Sequence, residues 1–158
     1  MPIASASSET KLQRLERQGK LFYISTVLPA QSATVEFLWR VGAKPVKFVS
    51  ALSSTLKTTY TVKEGVTVTA TGTQGALLNR ERNFPDGGLL FKRYTAPTYT
   101  GGTIISTDQT GASAAPGQSE NNPAVTTEGT LRVNTDYIVT IVPSAANDIS
   151  IDVFWWED

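Results

Sequence analysis

Cysteine and histidine are both missing from these 158 residues. Without cysteine there is no disulfide, no thiolate nucleophile and no thiolate metal site. Without histidine the usual general base, the Ser-His relay and the commonest zinc ligand are gone as well. Any catalysis falls to carboxylates, Lys, Tyr or a hard cation, which turns expectation towards a binding or structural role. Charge is sparse too: 14 basic and 14 acidic residues, 18 % of the chain, cancel to zero. Such a balance offers no electrostatic footprint for nucleic acid or anionic lipid, so neither is expected as a partner. No apolar run approaches the roughly 20 residues that span a bilayer. The N-terminal residues lack the basic-then-apolar layout of a signal peptide, so synthesis in the cytoplasm is expected. No cofactor is expected.

What is present is a one-domain chain, long enough to bury roughly 70 % of its unfolded surface without staples. Residues 1–19 stand apart as an N-terminal arm, and residues 20–158 read as a single β domain. Good helix formers fill the arm, Thr10 and Gln13 are spaced as a capping box, and Gly19 sits where a helix would end. Its only apolar residues between Ser5 and Gly19 besides alanine are Leu12 and Leu15, too thin a stripe to hold a helix firmly. Two outcomes stay open: a frayed surface segment, or an arm docked on a partner or a neighbouring subunit.

From Lys20 the period switches to two. Leu21–Leu28, Thr34–Val41, Val46–Leu52, Leu89–Tyr94, Thr103–Ser106, Thr130–Val133, Tyr137–Val142 and the stretch from Ile149 read as short antiparallel strands. Thr58–Val62 and Val66–Ala70 flank Lys63-Glu64-Gly65, a three-residue hairpin signal. Pro29 ends the first run, and Gly101-Gly102 reads as a turn. The pattern predicts an all-β fold, an antiparallel β-sandwich of jelly-roll type. Long loops are expected at 72–88 and 108–129, the second ordered by its own domain or by a neighbour.

Few residues carry chemistry. Glu81 and Asp86 share the first loop with Arg80 and Arg82. A glycosidase needs two facing carboxylates, whereas a local Arg–carboxylate network accounts for these residues more simply. Alternatively, Arg80 and Arg82 present guanidinium forks to a partner's carboxylates, the use we expect. Asp108, Glu120 and Glu128, with Asn121 and Asn122, supply oxygens of the kind calcium takes, but without the spacing of a calcium loop. Trp39, Trp155, Trp156, Tyr94 and Tyr99 either form a stacking platform or divide between core and surface; Trp39 and Trp155 read as core anchors.

The stretch Ile149–Asp158 is the most informative. Ile149, Ile151, Val153 and Trp155 face one way on a strand, while Ser150, Asp152, Phe154 and Trp156 face the other. Apolar bulk on both faces at one end calls for cover on both faces. That cover comes from the chain's own loops or from another chain, and we expect another chain.

Three stretches carry a resemblance: Leu77-Leu-Asn-Arg-Glu-Arg-Asn83, Ala96-Pro-Thr-Tyr-Thr-Gly-Gly-Thr-Ile-Ile105, and Tyr137-Ile-Val-Thr-Ile141 with Ile151-Asp-Val-Phe-Trp-Trp-Glu157. Their order resembles that of small β-rich virion proteins of tailed bacteriophages, among them capsid decoration, or cement, proteins. The resemblance implies a non-enzymatic virion protein on the capsid surface, made in the host cytoplasm. It implies the major capsid protein and neighbouring copies of itself as partners, in a homodimer or homotrimer. The expected contact residues are Leu12, Arg14, Leu15, Arg17, Arg80, Arg82, Asn83, Phe84, Phe154 and Trp156. The alternative is a carbohydrate- or receptor-binding module of a tail fibre or baseplate, stacking sugars on Tyr94, Tyr99 or Trp156.

Overall fold

The computed structural model describes residues 10–86, 90–111 and 125–157. Among them are one helix, α1 (Lys11–Arg17), and eleven strands: β1 (Leu21–Gln31), β2 (Val35–Val41), β3 (Val46–Ser54), β4 (Thr58–Ala70), β5 (Thr73–Gln74), β6 (Leu78–Asn79), β7 (Phe91–Thr95), β8 (Thr98–Thr110), β9 (Val125–Leu131), β10 (Asp136–Pro143) and β11 (Asn147–Trp156). They form two antiparallel sheets packed face to face. The first runs β6-β1-β11-β3-β9 and the second β5-β7-β2-β10-β4-β8.

The main pairings are nested. β1 pairs with β11, β2 with β10, β3 with β9 and β4 with β8, alternating between the sheets. One long hairpin wound upon itself gives this order, which is that of a jelly roll. The excursion between β4 and β8 adds β6 to the edge of one sheet and β5 and β7 to the edge of the other.

Alternation of apolar and polar residues sets which side of each strand is buried. Phe22, Phe37, Trp39, Phe48, Phe91, Tyr137, Val153 and Trp155 meet between the sheets in one cluster. At one end the rings interlock: Trp155 stacks on Phe22 with centroids 5.6 Å apart and on Phe91 at 4.7 Å. Trp39 meets Phe91 and Phe48 edge-on at 5.8 and 5.5 Å. Arg93 also enters this interior. Its guanidinium carbon lies 4.0 Å from the Phe37 ring centroid and Nη1 donates to Thr26 Oγ1 at 2.6 Å. Burial pulls its pKa down to about 10.

Several local expectations are corrected. Lys63-Glu64-Gly65 is no hairpin: β4 runs through it, paired with β8 throughout. Ile105 is the extra residue of a bulge between the Val62–Ser106 and Lys63–Ile104 pairs, and Gly65, Gly101 and Gly102 take φ of +71°, +68° and +91°. Together they turn a corner in the ribbon, so Gly101-Gly102 bends a strand rather than ending one. The far half lies over the outer side of the second sheet, where Val66, Val68 and Tyr99 pack with Leu38 and Ile138. β1 passes through Pro29 to Gln31 by way of another register shift, a place where a missing N–H is tolerated. The first loop is interrupted by β5 and β6. The second is shorter than expected, since Asp108 belongs to β8 and Glu128 to β9; Glu120, Asn121 and Asn122 lie outside the described residues.

The interior also stores a pH dependence. The Tyr60 phenol is enclosed, close to Ser50 but without a hydrogen bond of good geometry, and burial pushes it up from 10.0 to about 12. Folding therefore favours its neutral form. That contribution is intact below pH 10 and is lost as the pH climbs towards 12. Tyr60→Phe is expected to alter stability at pH 7 by less than about 1 kcal/mol in urea unfolding. It should also flatten the alkaline fall in stability. A variant losing stability as steeply with alkali as the parent would assign the effect to other phenols.

Candidate functional site

On the outer side of the first sheet, cross-strand pairing lines side chains up in rows. Leu21 and Trp156 are paired, with Lys47 and Thr130 beyond. The next row reads Tyr23, Phe154, Val49, Glu128, and the third Ser25, Asp152, Ala51, Thr126. A fourth holds Val27, Ser150 and Ser53. The first two rows are aromatic and aliphatic over β1 and β11 and carry Lys47 and Glu128 towards β3 and β9; the next two are mostly small and polar, with Asp152 their one charge.

The helix α1 lies on the aromatic end. Thr10 Oγ1 accepts from the Gln13 amide and Gln13 Oε1 from the Thr10 amide, so the capping box of the sequence is formed. Gly19, at φ +68°, closes the other end: its N–H donates to Glu16 O and that of Lys20 to Leu15 O, both at 2.9 Å. A Cβ at Gly19 would run into the Phe84 ring. Leu15 is the anchor, only 6 % exposed. The expectation that another chain covers Phe154 and Trp156 is thus corrected in part. The chain's own helix covers them because Leu15 seats on the sheet, leaving both half-buried.

Between helix and sheet remains a cavity of about 240 Å³, lined by Leu12, Gln13, Glu16, Leu21, Val49, Arg80, Phe154 and Trp156. Leu12 stands at its rim, 45 % exposed. The Arg80 guanidinium carbon lies 5.3 Å from the Phe154 centroid and 6.0 Å from that of Tyr23, while Nε is 3.4 Å from Glu16 Oε1. Lys11 Nζ lies 5.6 Å from the Trp156 centroid. The indole N–H of Trp156 is buried without an acceptor.

The expected contact residues divide accordingly. Leu12, Leu15, Arg80, Phe154 and Trp156 are brought together around α1, and Phe84, 40 % exposed, packs at its C-terminal end. Arg14 and Arg17 lie on the exposed side of the helix. Arg82 and Asn83 do not join the group. Arg82 forms a two-pronged pair with Asp86 and donates to Asn79 O at 3.2 Å. The fork expected to face a partner is therefore filled from within, and that pair holds the Asp86 carboxyl below the usual range. Glu81 Oε1 accepts from Asn83 N at 3.1 Å and Nδ2 at 2.8 Å.

Sequence reading missed the residues that hold this face. Asn79 is buried and accepts from Glu81 N, while its Nδ2 donates to Gly19 O and Pro85 O and its N–H to Asp86 Oδ1. Glu157 Oε1 accepts from Leu90 N and Phe91 N at 3.0 and 3.2 Å, tying the last strand to the start of β7. Both sit next to motifs that drew attention, but only tertiary pairing shows what they bind.

The five aromatics considered as a platform are divided. Trp39 and Trp155 are core, Tyr94 and Tyr99 pack on the second sheet, and Trp156 belongs to the first. Tyr99 donates to Glu36 Oε1 at 2.6 Å. Asp108 accepts from Ser106 Oγ, and no cluster of three potential metal ligands occurs among the described residues. No family model, curated protein or solved structure matches the chain.

A seven-residue helix has no stability of its own. Leu15→Ala is therefore expected to release α1 while the sandwich stays folded. Hydrogen exchange should show the amides of Gln18, Gly19 and Lys20 losing at least about tenfold in protection, with those of β2 and β10 unchanged. Equal loss in both places would make the helix part of the global folding unit.

Proposed function

We propose that the chain is a structural virion protein that binds the outer surface of a tailed-phage capsid and cements it, working by contact rather than catalysis. The observation that carries this reading is the gathering of Leu12, Arg80, Phe84, Phe154 and Trp156, remote in sequence, around one docked helix. The surface they make is apolar at its centre and charged at its rim, the anatomy of a protein-binding patch. Two further features support it. The jelly-roll order is one that capsid domains use, a likeness of fold alone. The first-loop carboxylates are spent locally, Asp86 on Arg82 and Glu81 on Asn83, as loop scaffolding rather than as a facing pair.

A second reading, a sugar-binding module of the tail, is favoured by one feature: the Trp156 ring bordering a cavity that Gln13, Glu16 and Arg80 also line. Immunogold labelling of purified virions separates the two. Regular labelling of heads, with heads lacking the protein rupturing at lower temperature, is the expected result. Label confined to tails, together with a positive glycan array, would replace the first reading by the second. Unlabelled virions would overturn both.

A further inference from the structure

Arg93 is 5 % exposed, yet no carboxylate among the described residues pairs with it. Buried charges are as a rule paired. At about 10, its lowered pKa still leaves a cation at neutral pH. Nη1 donates to Thr26 Oγ1, and the guanidinium sits over the Phe37 ring. Nε and Nη2 have no acceptor among the described residues, but they are not sealed in. The enclosed side-chain atoms left unpaired are Tyr60 Oη and the indole nitrogens of Trp155 and Trp156. Nε and Nη2 lie side by side on one edge of the guanidinium. Arg40 presents that same edge to Asp136, Nε to Oδ1 at 2.8 Å and Nη2 to Oδ2 at 2.7 Å.

The place of Arg93 in the fold explains why the chain supplies no such partner. Beyond Tyr23, β1 pairs with β11 alone, so Thr26 stands on the border strand of the first sheet. On the second sheet β5 pairs only with Tyr94 and Thr95, so it stops where Arg93 begins. Thr95 and Thr73 lie on the same side of that sheet as Arg93. No residue from Gly65 to Asn79, the stretch that passes along this border, carries a charge.

We propose that Arg93 is a carboxylate-binding site at the border between the two sheets. Thr26 and Phe37 hold the guanidinium in place, and its Nε–Nη2 edge takes the two oxygens of the incoming group. A guanidinium fixed in advance loses little freedom on binding, and its fork matches a carboxylate in two parallel hydrogen bonds. The carboxylate comes from a free small acid or from an acidic side chain of a partner. The site lies apart from the helix-covered face and stands whether or not the capsid reading does.

NMR of the isotope-labelled parent chain follows the Arg93 Nε–H signal directly. Sodium acetate should move it saturably at millimolar concentration, against sodium chloride at equal ionic strength. The corresponding signal of Arg40, already matched to Asp136, should stay in place. In thermal melts acetate should stabilise the parent, and Arg93→Lys, which keeps the charge without the fork, should bind it at least about tenfold more weakly. The parent titration holds as a test even if that variant folds poorly. A blocked peptide with a single glutamate forms the second arm. Binding at least about tenfold tighter than acetate assigns the site to a partner's side chain, and anything weaker assigns it to a free acid. Chloride moving the signal as strongly, phosphate binding more tightly than both carboxylates, Arg93→Lys binding as well as the parent, or no saturation by either carboxylate overturns the inference.

Discussion

The rest of the structure depends on the ring contacts made by Trp155. It stacks on Phe22 of its neighbouring strand and crosses the sandwich to Phe91, which meets Trp39, which meets Phe48. Five strands and both sheets are joined through these rings. Aromatic pairs of this kind add about 0.5–1.5 kcal/mol each beyond the area they bury. The Trp155 ring itself is fully buried among them. With the ring of Trp155 fixed inwards, the pleat sends Phe154 and Trp156 outwards. The aromatic outer face is thus a by-product of the core's own anchoring.

That face is completed by a short helix that could not stand alone. Capping at Thr10, closure at Gly19 and the single anchor Leu15 each contribute modestly, and only together do they hold α1 on the sheet. Asn79 links the same helix end to the first loop through Gly19 O. Loop, helix and terminal strand therefore form one mechanical unit although they come from three distant parts of the sequence.

Much of this was legible in the residues. Strict alternation in 149–156 named the buried and outward sides of β11 correctly, and the capping box and Gly19 bounded the helix. Strand alternation and turn chemistry also pointed to an antiparallel sandwich of jelly-roll type, but not to the order of its strands. What failed were places where a strand continues through a residue that usually stops one. Gly65, Gly101-Gly102 and Pro29 read as punctuation, yet bulges let β4, β8 and β1 absorb them. The cover over Phe154 was missed for a different reason. Leu12 and Leu15 make too narrow a stripe for a free helix, and only the sheet beneath shows that one leucine suffices. Arg93 gave no signal at all, because a cation between sheets is read from its neighbours Thr26 and Phe37, not from its own strand.

The nested strand order has a consequence for timing. β4 and β8 close over a short span of chain, whereas β1 and β11 join residues such as Leu21 and Trp156. Contacts of the first kind cost less entropy to close than those of the second, so closing the middle pairing first is the less costly order. The outer side of the first sheet needs β1, β11 and β3 side by side, and it comes into being only when the outermost pairing is made. A partly wound chain has no such face to present. Any contact made through that face would therefore wait for the finished molecule, a dependence that follows from the topology alone.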